Sequence, residues 1–193
     1  MHESSDPYTY PGTDVLRNIP DIRDSQPLAA FEANATTARL AELDAAPLKG
    51  QFDVAHLKAV HKYIFQDVFF WAGEFRTVNV SKGGSLFGAA PFVELALEDI
   101  LLKLRGERYL KGSDLSSFAR RAGFYLGEIN AAHPFREGNG RAQREFIREL
   151  GFEAGFIIDW SRINQHQMMA ASRESFSTGD SPGLATLIRA STS

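Results

Sequence analysis

Apolar positions along this chain recur at spacings of three and four far more often than they alternate, so the pattern is mostly helical. Residues 27–46 are Ala-rich, with Leu28, Phe31, Ala35, Ala38 and Ala41 or Glu42 in helical register, and Pro47 closes the segment. Asp53 is placed to cap a second helix, carried to about Phe69 by Leu57, Val60, Ile64 and Val68. Pro91 opens a third, with Phe92, Leu95, Ile100 and Leu104 among its apolar positions, ending near Gly106. Beyond Gly112, Ser113 or Asp114 caps a long helix whose buried face is Leu115, Phe118, Ala122, Tyr125 and Ile129. A helix over roughly 140–154 turns Ala142, Phe146, Ile147 and Leu150 inward and leaves Arg141, Arg144 and Arg148 along another line. Ser161 is placed to cap a helix to about Ser175, and Pro182 to start a short last one.

Only one segment has the period of a strand. From Phe75 to Val80, Phe75, Thr77 and Asn79 alternate with Arg76, Val78 and Val80. Ser81-Lys82-Gly83-Gly84-Ser85 supplies turn residues and Leu86-Phe87 a short return, giving a hairpin over 75–88. Residues 1–26, punctuated by Pro7, Pro11, Gly12 and Pro20, read as an extended arm with turns. The expected fold class is all-α, a helical bundle with one β-hairpin. The expected organisation is a single domain over 1–193, without repeat, linker or low-complexity tract.

Composition narrows the chemistry. The 193 residues, 44% hydrophobic and including 15 Phe, suffice for one domain with a substantial core. A net charge of −3 gives no reason to expect direct contact with nucleic acid. With no cysteine, disulfides and thiolate chemistry are excluded, and His2, His56, His61, His133 and His166 are too scattered for a zinc site. His56 and His61, five apart, do not share a face, and His61 beside an aromatic cluster reads as structural. Met1 to Tyr10 lacks a basic-then-apolar leader, and no apolar run approaches the roughly 20 residues of a membrane span, so a soluble cytoplasmic protein is expected.

The chemistry concentrates in His133-Pro134-Phe135-Arg136-Glu137-Gly138-Asn139-Gly140-Arg141-Ala142-Gln143-Arg144, a loop running into a helix N-terminus. Gly138 and Gly140 let the backbone bend and approach a ligand, and the helix start offers unpaired N–H groups and a positive dipole end to an anion. Arg141 and Arg144, three apart, project from one face. Taken singly, these residues leave alternatives open. His133 is a general base or a hydrogen-bonded structural residue; Glu137 is a ligand or the partner of Arg136 or Arg141; the arginines are an anion clamp or a solvated face. No Gly-x-x-x-x-Gly-Lys-Ser/Thr occurs, and Gly83 to Gly88 lacks the strand-to-helix setting of a dinucleotide fingerprint.

The full string resembles the signature of Fic domains, His-x-Phe-x-Asp/Glu-Gly-Asn-Gly-Arg-x-x-Arg, at every specified position, and Asp6-Pro7-Tyr8-Thr9-Tyr10-Pro11-Gly12 is similar to the start of bacterial Fic proteins of this length. The resemblance implies a Fic fold and a protein adenylyltransferase that moves AMP from ATP to a Tyr, Thr or Ser hydroxyl of a target protein. By position, His133 is then the base and Phe135 the inward anchor of the loop. Glu137 is the Mg²⁺ ligand, since that ion takes one or two carboxylates and completes its shell with phosphate oxygens and water. Gly138, Asn139 and Gly140 form the anion hole, and Arg141 and Arg144 face the β and γ phosphates. The hairpin at 75–88 resembles the family's flap, which aligns a target segment by strand addition, with Lys82 and Phe87 as target contacts.

Fic proteins are commonly restrained by a helix reading Ser/Thr-x-x-x-Glu-Gly/Asn. Here the only Glu before Gly or Asn is Glu137, with His133 four residues earlier, so the motif is absent from these residues. The resemblance then implies a separate small antitoxin that supplies it, and a toxin acting on the ATPase subunits of DNA gyrase and topoisomerase IV. Two other enzymatic readings compete: phosphate transfer as in the related Doc toxins, which depart from the signature at its glycines, and the Fic module of a longer secreted effector. A nucleotide-binding interaction module with a dead site is the non-enzymatic alternative.

Overall fold

The long amphipathic stretch after Gly112 forms α4 (Leu115–Ala132), and four other helices pack around it in the computed structural model, which describes residues 6–82 and 85–193. Asp114 caps α4 by accepting the N–H groups of Ser116 and Ser117 at 2.9 and 3.0 Å. Phe118, Ala122, Tyr125 and Ile129 are buried along it, as the spacing requires. Gly123 shows why α7 (Pro182–Ser191) lies so close: a Cβ there would stand 2.7 Å from the Ala185 backbone nitrogen. α3 (Val93–Gly106), α5 (Asn139–Ala154) and α6 (Gln165–Thr178) complete this layer. α1 (Ser25–Ala45) and α2 (Val54–Phe65) form a second layer around Leu28, Leu43, Val60, Ile64, Phe65 and Phe69, and α2 joins the layers by packing on α5. The mainly helical class holds, and among the described residues no helix is long and apolar enough to cross a membrane.

Several boundaries and faces differ from the sequence expectation. The alternating segment Phe75–Val80 is not a strand. Its inward residue, Arg76, is a clasp: the backbone N–H donates to Pro134 at 2.9 Å, and the guanidinium to the carbonyls of His133 at 2.7 Å, Ala132 at 3.2 Å, Val78 and Gly88. The Ala132 and His133 carbonyls are orphans at the end of α4, so the segment is held by a helix terminus instead of a ladder. The hairpin is shorter, β1 (Ser81–Lys82) against β2 (Ser85–Leu86), antiparallel with Ser81 opposite Leu86. Its Gly83-Gly84 turn lies outside the described residues, as does the side chain of Lys82.

On α1, Ala38 and Ala41 are exposed and Thr36 is buried, because the helix also faces a charged side chain of α5 that no apolar pattern marks. α2 stops at Phe65, where the chain turns and still buries Val68 and Phe69. α3 buries Val93, Leu97, Ile100, Leu101 and Leu104 and leaves Phe92 and Leu95 exposed, since their pattern merged a 3-10 turn over Ala90–Phe92 with the helix. Ser161 falls in a 3-10 turn over Trp160–Arg162, and α6 is capped by Asn164 in a capping box with Gln167. The arm before α1 bends back on itself, with Thr9 bridged to Leu16 and the Tyr8 hydroxyl accepting the Thr77 N–H at 3.0 Å.

Candidate active site

α4 ends at His133, whose φ of 45° is left-handed while its N–H still donates to Ile129 at 3.0 Å; Pro134 forbids a further turn. The chain then dives inward. Phe135 is fully buried and lies flat on the imidazole of His61, ring centroids 3.8 Å apart. Asn139 staples the loop, accepting the Phe135 N–H at 2.8 Å through Oδ1 and donating to its carbonyl at 2.7 Å through Nδ2. The Asn139 side chain is thus spent on the loop, and only its backbone N–H remains for an anion. Gly138, with φ 79°, is the N-cap of α5, and a Cβ there would meet Phe65 at 2.1 Å, so this position needs both the backbone freedom and the missing side chain.

His61 fixes the middle of the loop. Its Nδ1 accepts the Gly73 N–H at 2.9 Å, which leaves the proton on Nε2 to donate to the Glu137 carbonyl at 3.0 Å. Burial depresses its pKa to about 3, so the ring stays neutral at cellular pH. The structural reading of His61 therefore holds, with the addition that what it positions is the candidate metal ligand.

A cleft of about 330 Å³ opens over this loop, lined among others by Asp6, Asn79, Phe87, His133, Glu137 and Gly140. Phe87 stacks on the His133 ring at 3.8 Å and makes a T-shaped contact with Phe176 of α6 at 5.3 Å. Glu137 is half-exposed at the cleft and accepts the Gly138 N–H through Oε1 at 2.8 Å. Arg136 turns to Asp6 of the N-terminal arm, at 2.7 and 2.9 Å, and does not pair with Glu137; Arg141 comes only to 4.0 Å of it. Glu137 Oε2 therefore has no partner among the described residues and faces a site where phosphate oxygens could complete an octahedral shell, so the donor set fits Mg²⁺. Among the described residues no group of three or more acids and histidines forms a metal cage.

The two motif arginines differ. Arg141 is drawn to α1, where Glu32 and Thr36 accept from its guanidinium, and its cation lies 4.7 Å over the Phe65 ring. Burial raises the Glu32 pKa against the opposing pull of Arg141. Arg144 has no carboxylate partner among the described residues, and burial, then Arg141, lowers its pKa. A Cβ on Gly140, which lines the cleft, would stand 3.2 Å from Arg144 Nη1, so this guanidinium lies next to the Gly140 wall of the cleft. Asp6, Glu32, Thr36 and Arg76 escaped the sequence reading; they lie 57 residues or more before the motif and meet it only in the fold.

The profile described as Fic/DOC family matches residues 51–150. The chain is 44% identical over 186 residues to the protein adenylyltransferase VbhT of Bartonella schoenbuchensis, covering 96% of this chain and 39% of that protein's length. It is 40% identical to the probable protein adenylyltransferase y4lH of Sinorhizobium fredii, covering 95% of this chain and 94% of that one. The structure is similar to that of BepC, a VirB-translocated effector of Bartonella tribocorum with bound AMPPNP, at a TM-score of 0.91 and 29% identity over 96% of each chain.

Proposed function

The chain belongs to the Fic/DOC family, and from that premise we propose that it is a Mg²⁺-dependent protein adenylyltransferase, transferring AMP from ATP to a hydroxyl of a target protein. The observation that carries the reading is Arg144, a half-buried cation with no carboxylate partner among the described residues, next to Gly140 at the N-terminus of α5 and the His133–Glu137 cleft. A cation partly withdrawn from water gains from an opposite charge, and here the natural partner is an anion from outside.

His133 takes the proton from the attacking Tyr, Thr or Ser hydroxyl, a task suited to an imidazole side chain. The oxygen then bonds to the α-phosphorus, the bridge to the β-phosphate breaks, and pyrophosphate leaves with the electron pair. The first N–H groups of α5, at Asn139 and Gly140, have no helical acceptor and face the α-phosphate. Arg144, with Arg141, neutralises the departing β and γ phosphates. Glu137 would hold Mg²⁺, which supplies charge neutralisation on the phosphate oxygens. The β1–β2 hairpin lies over the cleft and offers its edge to an extended target segment; Phe87 serves that contact while packing on His133.

No Ser/Thr-x-x-x-Glu-Gly/Asn motif occurs in these residues, and we propose that a separate antitoxin supplies the restraint, its glutamate competing for Arg144. In that setting the chain is a toxin, and the ATPase subunits of gyrase and topoisomerase IV are the targets to try first. A second reading, the catalytic portion of a longer translocated effector, is favoured by the likeness to BepC and by the 39% of VbhT that the chain spans. Calorimetric titration with Mg-ATP tests the nucleotide site. Arg144→Ala should weaken binding by roughly 1.5–3 kcal/mol, the worth of a charge-assisted phosphate contact. Unchanged affinity in that variant would remove Arg144 from the site.

A further inference from the structure

We propose that Glu32 and Thr36 of α1 are positioning residues that hold the Arg141 guanidinium in one orientation toward the phosphate chain. The inference rests on the nucleotide reading above and concerns residues outside the motif. α1 is mostly exposed around this point, yet Thr36 is buried and Glu32 is only 14% exposed. Thr36 Oγ1 donates to the Glu32 carbonyl at 2.8 Å, which turns its lone pairs toward Arg141 Nη1 at 3.1 Å; the Glu32 carboxylate takes Nη2. Phe65 closes the ring plane from α2. The same Nη2 is 4.0 Å from Glu137 Oε1, so the fork is fixed between α1 and the candidate metal ligand.

Two of the five N–H donors of Arg141 are thereby used, leaving Nε–H and one on each terminal nitrogen. An arginine otherwise loses rotamer freedom when it grips an anion, and a side chain already fixed avoids part of that loss. Against this, a carboxylate reduces the net charge that Arg141 presents. The two effects have opposite signs in affinity, which makes the proposal testable.

Mg-ATP and AMP affinities, with thermal melts, would be measured for the native chain, Glu32→Ala, Glu32→Gln and Thr36→Val. Positioning predicts that Glu32→Ala weakens ATP binding about ten-fold, the cost of one mispositioned charge-assisted contact. Glu32→Gln, whose amide oxygen still accepts from Nη2, should recover to within about three-fold of native, and Thr36→Val should lose about three-fold. AMP, lacking the β and γ phosphates, should bind all four alike. Tighter ATP binding in either Glu32 variant would make the carboxylate a competitor of nucleotide and overturn the proposal. Equal losses for ATP and AMP, or no change in any variant, would reduce the contact to a fold-stabilising one. Should Glu32→Ala not fold, the Gln and Val variants decide by the same ATP-against-AMP comparison. A native chain that binds no ATP overturns the nucleotide reading itself, and this proposal with it.

Discussion

His133 and Glu137 are held in place from behind by residues that do no chemistry themselves, and His61 is the clearest case. Its tautomer is fixed by Gly73, its ring is clamped between Phe135 and Phe65, and its one proton supports the Glu137 carbonyl. Because burial holds its folded pKa near 3, against about 6.5 when free, the unfolded chain binds a proton that the native state refuses. The sign follows: this contribution to stability is present above pH ~6.5 and is lost as pH falls toward 3. His61→Gln should lower stability at pH 7 through lost stacking, and its deficit relative to native should shrink at pH 5, as urea titrations at both values would show. A deficit that stays constant with pH would mean the ring is not neutral in the native state.

At this scale the motif could be read as a string, since its twelve positions from His133 to Arg144 are contiguous in the sequence. The residues behind it were not. Glu32 looked like one acid on an Ala-rich helix, and Arg76 like the polar half of an alternating strand; their partners are 109 and 57 residues away. Only the folded chain makes a clamp of the first and a clasp of the second. Glu32 is also distinct from the family's restraining glutamate, since Ala33 follows it, Leu28 stands four residues before, and its partner is Arg141.

At the scale of elements, helices with one strongly apolar face could be read directly, as α4 and α5 were, and those with a weak one could not. α1 carries alanines on all sides, so periodicity placed its face wrongly at Ala38 and Ala41. The junction between loop and α5 tests what the glycines do. Gly138 and Gly155 flank α5, with φ of 79° and 92°, but only Gly138 faces a neighbour, Phe65. Gly155→Ala should cost about 1 kcal/mol from backbone strain alone. Gly138→Ala adds an overpacked core and should cost about 1–3 kcal/mol more, besides moving the first N–H groups of α5 away from the cleft. Denaturant unfolding of the two variants checks the difference, and equal losses would mean that Phe65 yields freely.

Across the whole molecule, the two helical layers meet at the loop: α4 delivers His133, α5 starts the proposed anion site, α2 supports the loop through His61 and Phe65, and α1 reaches in to Arg141. The N-terminal arm contributes Asp6 to the same cleft by its pair with Arg136. The account's central claim is AMP transfer with His133 as base. Its most direct test is incubation with bacterial lysate, Mg²⁺ and ATP labelled at either the α or the γ phosphate, with His133→Ala alongside. The account predicts a discrete protein band carrying α-label, absent with γ-label and lost in the variant, which should still bind ATP within a few fold because the base acts in the transition state. A band that carries γ-label, or one that survives in His133→Ala, would contradict it.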